Sequence, residues 1–337
     1  MFNQFYSIMK NSLFLLGAAA VVALSSCTKN EVLEVAENRA IGFDAFVGKS
    51  TRVTEDVTLA NLGSFQMFGW RGESPIFATE EGTPGVDVTV TPEGVCTYSP
   101  LQYWEANYTY AFEAIAPKNG EKGVSITPAK DGGAISFTSD GTTDLIYAKP
   151  ADVTMGEKIE SAPNAVTLNF QHLLSRVKFT FKNAFPENAA AKITVTDVKI
   201  TNANTTATIT PGSDNSGNWT GHDASAAISF PGTRANVAAQ ASASTEHMYL
   251  IPITAPSYNL YFKVTLTQAT GISSDYEHNV TINTNLEKNN SYNFTAELKP
   301  ENIDPDTQLY PITFSAKVGD WSDFTTPDIT PSEPSIP

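Results

Sequence analysis

Apolar residues recur at every second position along much of this chain. Ile41, Phe43, Ala45 and Val47 alternate with Gly42, Asp44 and Phe46, and Val86, Val88 and Val90 with Asp87 and Thr89. The same period runs through residues 108–112, 177–181, 193–200, 259–266, 276–282, 292–296 and 312–318. A period of two, carried by β-branched and aromatic residues, places one face inward and one outward, as in antiparallel half-buried strands. Turn chemistry separates these runs, at Gly82-Thr83-Pro84-Gly85, Pro117-Lys118-Asn119-Gly120, Asp131-Gly132-Gly133, Pro211-Gly212-Ser213-Asp214 and Pro231-Gly232. Helical patterning is scarce. Residues 237–244 are short and Ala-rich, and Pro186 limits residues 183–192, so both are read as loop with at most a turn of helix. The pattern predicts an all-β protein built of antiparallel sandwiches rather than βαβ units.

The polar loop at residues 155–163 is the best candidate boundary, with a new apolar run opening at Val166. Two tandem antiparallel β-sandwich domains are therefore expected, at residues 41–162 and 163–324. The Pro-rich tail, 325–337, should be extended. The first segment reads as an address. Lys10 precedes an apolar stretch over residues 13–24, which leads into Ser25, Ser26 and Cys27. A basic start, a short apolar run and small residues at its end make a secretory signal, residues 1–26. The stretch is shorter than the roughly 20 residues that span a bilayer. Ending on Leu24-Ser25-Ser26-Cys27, it looks like a bacterial lipobox, in which the Cys27 thiol is acylated (palmitate) and becomes the new terminus. An ordinary signal with an incidental cysteine is the competing reading. Residues 27–40 then form a lipidated tether, holding the chain on a membrane without crossing it.

Composition narrows the function classes. Charged residues make up 17% of the 337-residue chain, below the usual ~25% of soluble domains, and the net charge is -15. An acidic body repels phosphates, which argues against nucleic-acid binding. With Cys27 assigned to the anchor, Cys96 stands alone and no disulfide framework exists.

Catalytic or metal chemistry has little to stand on. His172, His222, His247 and His278 are widely separated and lack zinc-ligand spacing, and no nucleophile elbow, phosphate loop or dinucleotide fingerprint occurs. No catalytic residue, metal or cofactor is expected, and the chain is not read as an enzyme. Glu113 lies in an apolar run, AFEAIA, which could raise its pKa; alternation favours an outward or edge position. Residues 214–223 and Asp304-Pro305-Asp306 offer oxygens for calcium without matching an EF-hand. Trp70, Trp104, Trp219 and Trp321 suit core or rim packing, with sugar stacking by Trp70 and Trp219 as the alternative.

One comparison within the chain is informative. The first strand of the body is Ile41-x-Phe43-x-Ala45-x-Val47, and the last is Ile312-x-Phe314-x-Ala316-x-Val318. The same knobs at the same spacing could fill the same groove, with main-chain hydrogen bonds supplying affinity. Any half-buried strand can share so generic a pattern, which is the competing explanation. The first strand is followed by a polar, basic loop, residues 48–53, of the kind most easily nicked. A cut there would release anchor and strand together. Head-to-tail filling of the vacated groove would not close and would give a filament.

These features together resemble the fimbrillin family of Bacteroidetes, the subunits of type V pili. The resemblance is carried by the lipobox Leu24 to Cys27, the strand Ile41 to Val47 followed by Ser50-Thr51-Arg52, and residues 59–70 (LANLGSFQMFGW). Residues 168–181 (LNFQHLLSRVKFTF), 289–298 (NNSYNFTAEL) and 312–321 (ITFSAKVGDW) extend it over nearly the whole chain. It implies two transthyretin-like β-sandwiches, a lipidated precursor at the outer membrane and cell surface, and cutting by a trypsin-like protease after an Arg behind the first strand. Arg52 is the matching residue; Arg39 is the competitor. It further implies that Ile41, Phe43, Ala45 and Val47 form the displaced strand and Ile312, Phe314, Ala316 and Val318 the donor. Other pilin subunits would then be the partners, joined head to tail in a fimbrium that adheres to a host or bacterial ligand. A permanently anchored tip, anchor or glycan- or protein-binding lipoprotein is the alternative.

Overall fold

The computed structural model describes residues 39–47, 57–77, 84–213, 216–232, 234–253 and 257–321. In chain order the strands begin with β1 (Phe43–Val47), β2 (Ser64–Arg71), β3 (Ser74–Pro75), β4 (Val86–Val90), β5 (Cys96–Tyr98), β6 (Thr109–Ala116) and β7 (Val124–Thr127). They continue with β8 (Ala134–Thr138), β9 (Ile146–Ala148), β10 (Val153–Thr154), β11 (Val166–His172), β12 (Ser175–Asn183), β13 (Lys192–Ile209) and β14 (Thr220–Ser229). The last are β15 (Arg234–Val237), β16 (Ser242–Ser244), β17 (Met248–Leu250), β18 (Tyr258–Thr267), β19 (Ser273–Ile282), β20 (Asn290–Leu298) and β21 (Ser315–Asp320). One short helix, α1 (Leu59–Leu62), precedes β2. Alternation explains most of these elements. In β18, for example, Tyr258, Leu260, Phe262, Val264 and Leu266 point into the core and the residues between them do not.

Three sheets result. The first runs β1-β11-β9-β6-β2-β4-β5, with β10 on β6 and β3 on β2. The second runs β16-β12-β20-β21, with β17 also on β12, and the third runs β19-β18-β13-β8-β7, with β14 and β15 on β13. Among the described strands the expected antiparallel pattern holds except in two places: β1 runs parallel to β11, and β12 parallel to β20. β13, 18 residues long, serves several neighbours and bulges along its length. Its register shifts between Thr196 and Lys199, where Asp197 takes a left-handed φ of 53°, a conformation that aspartate tolerates better than most residues.

Three cores lie under these sheets. One gathers Phe43, Phe65, Phe112, Leu168 and Phe170 beneath the first sheet. A second gathers Phe179, Phe181, Val195, Phe262 and Phe294 between the other two. The third joins residues from all three sheets, including Phe68, Ile115, Tyr147, Trp219, Tyr249 and Trp321. Strands from both sides of the 162/163 boundary share sheets. β11, which follows it, completes the first sheet, and the hairpin β7–β8, which precedes it, continues from β13. Residues 237–244 form the end of β15, a turn and β16, and residues 187–189 a single 3₁₀ turn.

Candidate functional site

β1 lies in a seat with neighbours along both edges. On one side it pairs with β11 from Phe43 opposite Val166 to Val47 opposite Phe170. On the other, Asp44 bridges to Val95, the Tyr98 hydroxyl donates to the Ile41 carbonyl at 2.7 Å, and the Ile41 amide donates to the Gln102 carbonyl at 2.8 Å. One residue earlier, Ala40 bridges to Tyr103, and the Trp104 amide reaches the Arg39 carbonyl at 3.0 Å. Gly42 is required by the fit: a side chain there would meet the Asn164 carbonyl at 2.8 Å.

The side chains follow the predicted alternation. Ile41, Phe43 and Ala45 are buried, Asp44 and Phe46 are exposed, and Val47 is half-buried against the same core. The Phe43 ring sits 5.3 Å from Phe112 edge-on, 5.7 Å from Tyr98 and 6.0 Å from Phe77. Each large apolar side chain so buried is worth about 1.5–3 kcal/mol. Cys96 lines the far side of the seat. Burial pushes its thiol up to about 11, opposed by a backbone hydrogen bond from Ala45, so it is protonated at neutral pH.

The matching C-terminal run is placed differently. β21 begins at Ser315, three residues later than the alternation from Ile312, and is the outermost strand of its sheet, antiparallel to β20. Ile312 is buried in the second core, and Phe314 is half-buried against Phe179, Phe181 and Phe262, with ring centroids 5.7–6.0 Å apart. Ala316 and Val318 are exposed, Val318 by 49%. The structure therefore does not bring these four knobs together under one cover. Of the proposed processing residues, Arg39 is half-buried and its guanidinium lies 3.5 Å from the Glu160 carbonyl. Cys27 and Arg52 lie outside the described residues.

One reading of a single residue is overturned. Glu113 is fully buried, not outward-facing, because β6 lies mid-sheet with cores on both faces. Its carboxylate accepts from the Tyr147 hydroxyl and the Gly133 amide, both at 2.7 Å, and from the Ala129 amide at 3.0 Å. A side chain at Gly133 would collide with Glu113 and the Thr127 carbonyl. Burial pushes the Glu113 carboxyl above the ordinary glutamate range, against the pull of these hydrogen bonds. The apolar residues at both parities of AFEAIA were the available signal. Trp219 packs in the core, in keeping with the leading reading and against the sugar-stacking alternative, its indole nitrogen donating to the Leu173 carbonyl at 2.7 Å; Trp104 and Trp321 are buried too.

Among the described residues no group of three or more His, Cys, Asp or Glu side chains could hold a metal ion. Asp304 caps its own turn, accepting from the Asp306 amide at 3.0 Å. No helix among the described residues is long and apolar enough to cross a membrane.

β1 is thus seated between its neighbours in an all-β fold, and a second run of the same spacing lies at an outer sheet edge. A sequence-family model described as fimbrillin-like matches residues 51–321, and the chain belongs to that family of fimbrial-type surface proteins. No curated protein matches it. Among solved structures it is similar to a fimbrial protein from Bacteroides vulgatus ATCC 8482, with 18% identity, a TM-score of 0.60, and coverage of 84% of this chain and 100% of that one. That likeness shows a shared fold. A candidate cell adhesion protein from Bacteroides uniformis ATCC 8492 aligns at 18% identity and TM-score 0.47, covering 84% and 99% of the two chains. The fimbrial anchor protein Mfa2 from Porphyromonas gingivalis aligns at 11% identity and 0.36, covering 84% and 98%.

Proposed function

We propose that the chain is a pilus subunit exported as a lipoprotein through Cys27, held at the outer membrane, and released when a trypsin-like protease cuts after Arg52. The cut removes β1, and the run Ile312, Phe314, Ala316 and Val318 of the next subunit enters the seat that Ile41, Phe43, Ala45 and Val47 leave. Repetition head to tail builds the fibre, which adheres to a host or bacterial ligand. The observation that carries this reading is the seat itself. It is an apolar trough with hydrogen-bonding groups on both sides, filled by a single short strand that ends five residues before Arg52 in the sequence. A cut at Arg39 would detach the anchor and leave β1 in place. A chain that is never cut behind β1 would act as a permanently anchored tip or anchor subunit.

Limited trypsin treatment of the purified chain, followed by incubation, electrophoresis and microscopy, tests the reading. A single cut after Arg52 should yield a ladder of oligomers. Cys96 reports on the seat in the same sample: its thiol should resist maleimide in the uncut chain and label once β1 has gone. An Arg52 that resists trypsin in the folded protein, with no oligomers formed, removes the stalk-subunit reading.

A further inference from the structure

Trp321 directly follows β21 and lies in the third core, only 3% exposed. Its indole stacks on the His172 ring, with centroids 3.8 Å apart and planes 11° from parallel, and lies within 8° of parallel to Tyr249 at 5.8 Å. The Arg176 guanidinium stands over the same indole at 5.4 Å. The Trp321 carbonyl accepts from the Ser291 hydroxyl at 3.1 Å and from the Arg176 guanidinium. His172 is itself oriented by Asp144, its Nδ1 lying 2.8 Å from a carboxylate oxygen. The chain end of an exposed edge strand is thus tied down by β11, β12, β17 and β20 at once.

His172 is the last residue of β11, the strand against which β1 is seated. β11 makes five residue pairs with β1 and two with β9. The last β1 pair, at Phe170, falls two residues before His172. One strand therefore carries the seat of β1 along its first five residues and the resting surface of Trp321 at its end. Removal of β1 strips β11 of most of its ladder while leaving the two pairs nearest His172 to hold it.

We propose that Trp321 is a latch: stacked on His172, it holds β21 on its own subunit while β1 is seated, and loss of β1 loosens the end of β11 and frees the strand. The proposal rests on the strand-exchange reading above and adds its regulation. The donor stays sheathed on a precursor that still has its anchor, and becomes available on the subunit whose seat is empty.

Hydrogen exchange of the 315–320 amides, read by mass spectrometry, tests the latch. Three samples are compared: the intact chain, the chain nicked by trypsin and stripped of its fragment up to Arg52 (taken as fresh monomer), and the intact Trp321→Ala chain. Exchange at 315–320 should be about tenfold faster in the second and third than in the first, with 43–47 still protected in Trp321→Ala. Where the alanine variant does not fold, Trp321→Phe keeps a flat ring on His172 and should speed exchange by about threefold. Unchanged exchange after β1 has left, or in both Trp321 variants, overturns the latch. Ladders that form while 315–320 stay protected in the nicked monomer leave strand exchange standing and remove the latch. Fast exchange without ladders supports the latch and removes the exchange reading.

Discussion

β1 and β21 share one apolar spacing and are held in two ways. β1 has hydrogen-bonded neighbours along both edges and buries Ile41, Phe43 and Ala45. β21 pairs with β20 alone among the described strands; of the matching residues, Ile312 is buried and Phe314 half-buried just ahead of β21, while Ala316 and Val318 within it are exposed. Spacing specifies which side chains share a face; what covers that face is decided by the rest of the chain. A strand enclosed on both sides should leave only when cut free, whereas one at an edge can leave at the cost of a single ladder, here that with β20, and the contacts at its ends. That is the division of roles that strand exchange needs.

The comparison is sharpened by substitutions that should differ in size. Phe43→Ala takes a ring out of a closed aromatic cluster and should cost the intact chain about 3–5 kcal/mol in urea unfolding. Phe314→Ala removes a half-buried ring and should cost about 1–3 kcal/mol. If the two costs are equal, β21 is as firmly seated as β1 and the contrast fails.

Glu113→Gln lies outside both strands and serves as a reference. Three donors converge on the carboxylate, and an amide cannot accept them all in the same way, so a loss of about 1 kcal/mol is expected at neutral pH. Because burial raises the folded pKa of Glu113 above its unfolded value, the folded chain binds this proton more tightly. Its contribution favours folding below the ordinary value of about 4.3 and is lost as pH rises through the raised one. Glu113→Gln should remove that part of the stability–pH curve and leave the difference between Phe43→Ala and Phe314→Ala untouched. The smallest effect on the monomer belongs to Val318→Asp, within about 0.5 kcal/mol because the residue is exposed. Nicked Val318→Asp should nonetheless fail to form ladders, since the charge would have to enter the trough that holds Val47; normal ladders would exclude this strand as donor.

Much of the fold was legible because alternation is a local property. Runs such as 86–90, 259–266 and 276–282 are strands where the pattern places them. What sheet a strand joins is not local. The loop at 155–163 reads as a boundary because it is polar, yet Val166 and the residues after it pair with β1 and β9. Alternation also misleads where a strand is covered twice, as at Glu113 in β6. The side chains of β1 were assigned to their correct faces, while the parallel direction of its pairing and the contact between His172 and Trp321 depend on partners far along the chain.

The parallel alignment of β1 with β11 has a topological consequence. A tight turn can join only antiparallel neighbours; a parallel one must arrive by a long crossover or from elsewhere. The residues that follow β1 lead on to α1 and β2, which pairs with β4 and β6 on the far side of the sheet. Chain adjoining β11 therefore cannot reach a vacated place beside it through a tight turn and keep the parallel direction. A guest whose knobs read in the same order, Ile-x-Phe-x-Ala-x-Val, would enter pointing the same way as the strand it replaces. Every junction would then face the same end of the fibre, giving it a polarity fixed by one strand's direction.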